Sequence, residues 1–179
     1  MTEVAAAKFV TPELMAHIRA QFRLDWHGIH GASHWGRVMH HGLALAELTG
    51  ADARIIRLFA VLHDSQRHDD YADPEHGVRA ASYAYALHKD GLIHLSSDGL
   101  DVLMTACRGH SYGHVDADIT IQTCWDSDRL DLGRVGIRPD PRYLCTSAAK
   151  DPERIERAWR WSRDEFPSEV PRNPLRTHW

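Results

Sequence analysis

The chain has 179 residues, 43% hydrophobic and 26% charged, which is long enough for an ordinary core and too apolar for wholesale disorder. With 21 Lys and Arg against 25 Asp and Glu the net charge is −4, which excludes generic binding to nucleic acid or to an anionic membrane. Fourteen His stand beside only Lys8, Lys89 and Lys150, and imidazole is the commonest metal ligand.

In chain order the sequence reads as one helix after another, without repeats. Thr11-Pro12-Glu13 opens the first, with Leu14, Ile18 and Phe22 as one apolar stripe; Gly28 and Gly31 break it. Ser33 is the expected cap of a second helix over 34–48, closed by Gly50. Asp52 caps a third over 53–66, whose run Ile55 to Leu62 is apolar nearly all round and therefore central. Pro74-Glu75 opens a fourth to Lys89, closed by Gly91. Ser97-Asp98 opens a fifth, with Leu100, Leu103, Met104 and Cys107 on one face. A sixth is expected over 119–132, although Ile119, Thr120, Ile121 and Thr123 would suit a strand on propensity alone. Asp151-Pro152-Glu153 opens the last, on which Trp159 and Trp161 do not share a face, and the tail from Pro167 is expected to be extended. The class is all-α.

Cys107, Cys124 and Cys145 are odd in number and form no CxxC pair, so neither a disulfide framework nor a cysteine zinc site is expected. Cys107 and Cys124 read as small buried hydrophobes. No apolar run reaches membrane-spanning length, and residues 1–10 lack a basic stretch followed by an apolar one. No membrane span or secretory signal is expected, and the cytoplasm is the simplest location.

The chemistry sits in four places. His63-Asp64 ends the apolar third helix, and neighbouring side chains on a helix point about 100° apart, so both reach one ion only near a helix end. A charged Asp there needs a partner: a cation, a cap or Arg67. His34 starts the second helix; the two helices form a hairpin about Gly50, which brings His34 to the same end as His63-Asp64. His76 opens the fourth helix at that end, and the fifth brings His110 back to it, followed by His114. These allow a second metal ion or a phosphate-binding pair. The fourth place is Asp126, Asp128 and Asp131, which cannot share one helix face, so at least one should be solvated. A strict up-down bundle would put Asp128 at the far end from His34, unless the sixth helix crosses obliquely or residues 113–120 are extended. His40 and His41 lie two turns from His34 and are expected in solvent, whereas His27 and His30 are candidates to line the mouth of the site.

The order His34, His63-Asp64, Asp128 resembles that of the HD-domain superfamily of metal-dependent phosphohydrolases. So do the flanks Gly31-Ala32-Ser33-His34-Trp35-Gly36-Arg37-Val38, Leu62-His63-Asp64-Ser65-Gln66-Arg67 and Ser127-Asp128-Arg129-Leu130-Asp131-Leu132-Gly133. The resemblance covers roughly residues 28–136 and implies a single HD-type domain over 1–179, a helical bundle with the metal site at the ends of its core helices. It implies metal ligation by His34, His63, Asp64 and Asp128, with His63 and Asp64 central to catalysis. His76 and His110 match the extra histidines of two-metal subgroups. The Gly-Tyr-Pro motif of cyclic-dinucleotide phosphodiesterases is absent, as is an acidic pair directly after His63-Asp64.

Mixed imidazole and carboxylate ligands suit one or two ions of Mn, Fe, Co, Ni or Zn. The expected reaction is in-line attack of metal-bound hydroxide on a phosphate ester of a small phosphorylated metabolite or nucleotide. Arg37 and Arg67, each a turn beyond a ligand, are candidates to clamp the phosphate, with salt bridges as the alternative. A di-iron oxygenase of HD fold would use the same six residues, and a non-enzymatic nucleotide or metal sensor is a third reading.

Overall fold

Thr11, Asp52, Ser96, Asp118 and Asp151 each accept a backbone N–H at a helix start, satisfying donors that have no intrahelical partner. A computed structural model of the protein describes residues 9–163, among which there are seven α-helices and no strand. They are α1 (Pro12–Gln21), α2 (Ala32–Thr49), α3 (Ala53–Leu62), α4 (His76–Lys89), α5 (Ser97–Gly109), α6 (Ile119–Arg129) and α7 (Pro152–Ser162), with short 3-10 turns at Leu132–Val135 and Pro141–Tyr143. The expectations for residues 1–8 and for the tail from Pro167 lie outside the described residues. No helix among those described is long and apolar enough to cross a membrane.

The apolar α3 is central, as its sequence requires: Ile56 to Leu62 are buried apart from Arg57, and the helix packs against α2, α5 and α6. Gly50 closes α2 in the left-handed conformation, so α2 and α3 form the expected hairpin. Phe22, Trp26 and Trp35 meet edge to face, with centroids 5.2–5.7 Å apart, and lock the start of α2 against the end of α1. A smaller cluster of Leu45, Leu130, Leu144, Ile155 and Ala158 seats α7. Trp161 is buried against the His40 and His41 rings, and Trp159 is half-buried. Cys107 and Cys124 are buried, and the three cysteines are free.

Several boundaries differ from expectation. α2 begins at Ala32 with Gly31, not Ser33, as its cap. Ala32 N donates to Trp26 O at 2.8 Å, and a Cβ on Gly31 would stand 2.2 Å from that oxygen, so the loop folds too tightly for a side chain. α3 stops at Leu62, where Ser65 Oγ and Ser65 N both donate to Leu62 O and tighten the chain into a turn. The β-branched start of α6 is helical: Asp118 caps it, and Thr123 Oγ1 donates back to Ile119 O.

The position of Asp128 follows from the link before α6. Residues 113–118 are irregular and carry the chain away from the His110 end. At the start of α6 Asp52 N donates to Thr120 Oγ1 (3.1 Å), and Thr49 and Thr123 hydroxyls lie 3.2 Å apart, so the helix begins beside the α2–α3 turn. It then runs parallel to α3 and delivers Asp128 to the same rim as His34 and His63.

Candidate metal centre

Six side chains from five elements meet at that rim in two triads. His34, His63 and Asp128 form one, and Asp64, His76 and His110 the other; within each, the ligand atoms lie within 4.8 Å of one another. All six residues are buried. These clusters could hold metal ions. His63 and Asp64 stand just past the end of α3, where the turn lets consecutive side chains converge as the sequence required.

The imidazoles are oriented by their outer nitrogens. His34 Nδ1 donates to Asp131 Oδ2 at 2.7 Å. His63 Nδ1 donates to Phe59 O and Ala60 O, His110 Nδ1 to Cys107 O at 2.7 Å, and His76 Nδ1 to Asp73 O. Every one of these partners only accepts, so each neutral ring carries its proton on Nδ1 and turns the Nε2 lone pair inward. The Nε2 atoms then approach in pairs, 3.0 Å for His34–His63 and 2.8 Å for His76–His110. Two lone pairs at such distances repel unless positive charge stands between or beside them.

Asp64 joins the triads. Its Oδ2 is 3.6 Å from His34 Nε2 and 3.7 Å from His63 Nε2; its Oδ1 is 3.4 Å from His76 Nε2 and 3.6 Å from His110 Nε2. Each oxygen thus faces one triad, the placement of a carboxylate shared by two cations. His30 Nδ1 fixes it from the far side at 2.8 Å, while His30 Nε2 meets Asp70 O at 3.1 Å. Asp64 Oδ1 and Asp128 Oδ1 are buried without a hydrogen-bond partner, which is costly for carboxylates and is relieved by a cation if one binds.

The electrostatics agree. Burial holds His63 neutral, lowering it to about 3. Burial would raise Asp64, but His63, His110 and His30 outweigh it and keep the carboxyl well below its usual range. Asp128 is likewise lowered by His34 and Arg134 against its burial. Burial and His110 lower His76, whereas Asp64 and Asp128 outweigh burial at His110 and raise it.

The remaining expected residues divide. Arg67 stays at the site, with Nη1 3.2 Å from His76 Nε2 and 3.6 Å from Asp64 Oδ1. Arg37 does not: its Nε and Nη2 donate to the two oxygens of Asp131 at 2.6 and 3.0 Å, behind His34, so it is no phosphate clamp. The expectation that one of Asp126, Asp128 and Asp131 is solvated also fails, because all three are buried. Asp126 accepts from Cys145 N, Thr146 N and Thr146 Oγ1, Asp128 faces His34 at 3.3 Å, and Asp131 holds His34 and Arg37. His114 is exposed and outside both triads, as is His27, but His41 is buried rather than solvated.

The site opens into a cavity of about 490 Å³. Asp64, His76, His110 and Asp128 form its floor, and Arg67, Arg129, Arg134 and Arg138 stand around it. The last three are absent from the sequence expectations. Their signal is the basic spacing in 129–138; Arg129 ends α6, and Arg134 and Arg138 lie beyond it where helical periodicity gives no direction. Leu132, Ile137, Pro139, Tyr143 and Leu144 add an apolar wall. A second hollow of about 400 Å³, between α2 and α7, contains none of these six side chains. The chain matches no protein-family model, no curated protein and no solved structure.

Proposed function

We propose that the chain is a metal-dependent phosphohydrolase of the HD-domain type, acting on a small phosphorylated metabolite or nucleotide. The observation that carries this reading is the convergence of four Nδ1-anchored imidazoles on the two oxygens of Asp64 beneath an arginine-lined cavity. The chain order His34, His63-Asp64, His76, His110, Asp128 supports it, since it is similar to that of two-metal members of the superfamily. His34, His63 and Asp128 would hold one ion, and His76 and His110 the other, with Asp64 between. When bound, divalent ions supply an activated water and a Lewis acid toward a phosphoryl oxygen. Arg67 and Arg134 each lie 3.6 Å from a ligand carboxylate; once cations take those carboxylates, both guanidiniums are free to donate to phosphoryl oxygens. The cavity's arginines favour an anionic substrate, as a phosphate ester is.

The test is elemental analysis of the purified protein, followed by a phosphoester and nucleotide panel with Mn, Fe, Co, Ni and Zn. About two ions per chain and hydrolysis of at least one ester are expected. Asp64→Ala should lose metal and activity while remaining helical, and His110→Ala should lower occupancy toward one ion. Stoichiometric iron with oxygen consumption and no hydrolysis would move the assignment to the oxygenase; tight nucleotide binding without turnover would move it to a sensor.

A further inference from the structure

Arg129 is the last residue of α6 and only 6% exposed. Its Nη1 donates to Tyr143 O at 2.7 Å and to Cys145 Sγ at 3.4 Å, and its guanidinium stands 5.5 Å from the centre of the Trp125 ring. Its Nη2 is buried with no hydrogen-bond partner, and the side chain lines the cavity above the metal centre. The other arginines there face acids: Arg67 Asp64, Arg134 Asp128, and Arg138 Glu156 at 2.7 Å. Among the described residues Arg129 has no carboxylate within ion-pair distance. Asp126, one turn earlier, has both oxygens committed to Cys145 and Thr146.

A buried guanidinium without a counter-ion is costly, and a permanent cation cannot relieve the cost by deprotonating. An anionic ligand relieves it. That ligand group is distinct from the phosphoryl group over the metals, because Arg129 and Asp128 are consecutive on a helix and diverge by about 100°. The contact with Tyr143 O places Arg129 on the 140–144 side of the cavity. Resting on the phosphohydrolase reading, we infer that Arg129 selects substrates carrying a second acidic group, a carboxylate or a further phosphate, besides the ester phosphate.

Matched phosphonates test this without turnover. Phosphonoacetate, 3-phosphonopropionate and 4-phosphonobutyrate are titrated by calorimetry into manganese-loaded protein, against ethyl-, propyl- and butylphosphonate. At least one acid should bind about ten-fold tighter than its alkyl counterpart, one charge-assisted hydrogen bond's worth. Arg129→Gln should bring that ratio to about one, with Arg129→Lys restoring part of it, at unchanged metal content and helicity. No acid advantage at any chain length overturns the inference, as does an advantage that survives in Arg129→Gln. Equal weakening of both pair members also overturns it, placing Arg129 on the ester phosphate instead. If the metal-loaded protein binds no phosphonate at all, the phosphohydrolase reading itself falls.

Discussion

At the scale of single residues, Asp131 shows how much of a candidate metal site lies outside the side chains that could ligate an ion. It is fully buried, accepts from His34 Nδ1 and binds Arg37 through both oxygens. Burial would raise its pKa, but His34 and Arg37 outweigh it and hold Asp131 at about 2. The charge it keeps makes His34 Nε2 a stronger donor toward a cation and fixes the ring's direction. Asp131→Asn should therefore lower metal affinity by about 10–100-fold, measured by competition with a chelating dye. It should also cost roughly 3 kcal/mol in unfolding free energy, since Arg37 loses its partner. Combining it with Arg37→Gln separates the effects: stability should recover and metal affinity should not. Wild-type affinity in Asp131→Asn would remove Asp131 from any positioning role. Neither Asp131 nor His30 is legible as a support in the sequence, because each acts through one rotamer against a residue 97 or 34 positions away.

At the scale of elements, more is legible. Caps at Thr11, Asp52 and Asp151, the apolar run of α3 and the glycine at 50 give the helices and the hairpin. Hairpin arithmetic alone brings His34 to His63-Asp64. Asp128 is not legible this way, since its place depends on residues 113–118 being unwound, for which periodicity offers no sign. The approach of α4 to α5 is equally hidden. Gly77 follows His76, and a Cβ there would lie 2.6 Å from Cys107 O and 3.0 Å from Arg108 O. Those atoms are backbone and cannot swing aside, so Gly77→Ala must push the helices apart just where His76 and His110 converge. Overpacking of this kind costs about 1–3 kcal/mol. The expected outcome is loss of the ion held by His76 and His110, with the His34–His63–Asp128 ion retained. Elemental analysis after gel filtration reads this as a drop from about two ions per chain to about one. Unchanged stoichiometry would mean that α4 does not set the second triad's spacing.

At the scale of the whole molecule, the buried rim ties stability to pH and to metal together. Burial lowers both His63 and His41 from 6.5 to about 3. Between those values the unfolded chain binds protons that the folded chain refuses, so stability falls as pH drops through that window, by up to about 1.4 kcal/mol per pH unit for each. Asp131 works in the same sense lower down: its contribution is present above its ordinary 3.8 and is lost as pH falls through about 2. A cation at the rim binds only the deprotonated ligands. At 100 times its Kd it adds about 2.7 kcal/mol, or roughly 5–10 °C in Tm for a chain of this size. Metal-free protein should therefore melt at steadily lower temperature as pH is reduced from about 7.5 to 4.5. Added manganese should raise Tm at the upper end and have almost no effect at the lower. His41 lies outside both triads, and its Nε2 is buried without a partner. His41→Leu should flatten the pH slope of the metal-free protein by one proton's worth while leaving the manganese increment as large as before. A manganese increment that does not change with pH would contradict ligation by His110, whose raised pKa sets a proton in competition with the metal over this range, whereas His63 is deprotonated throughout.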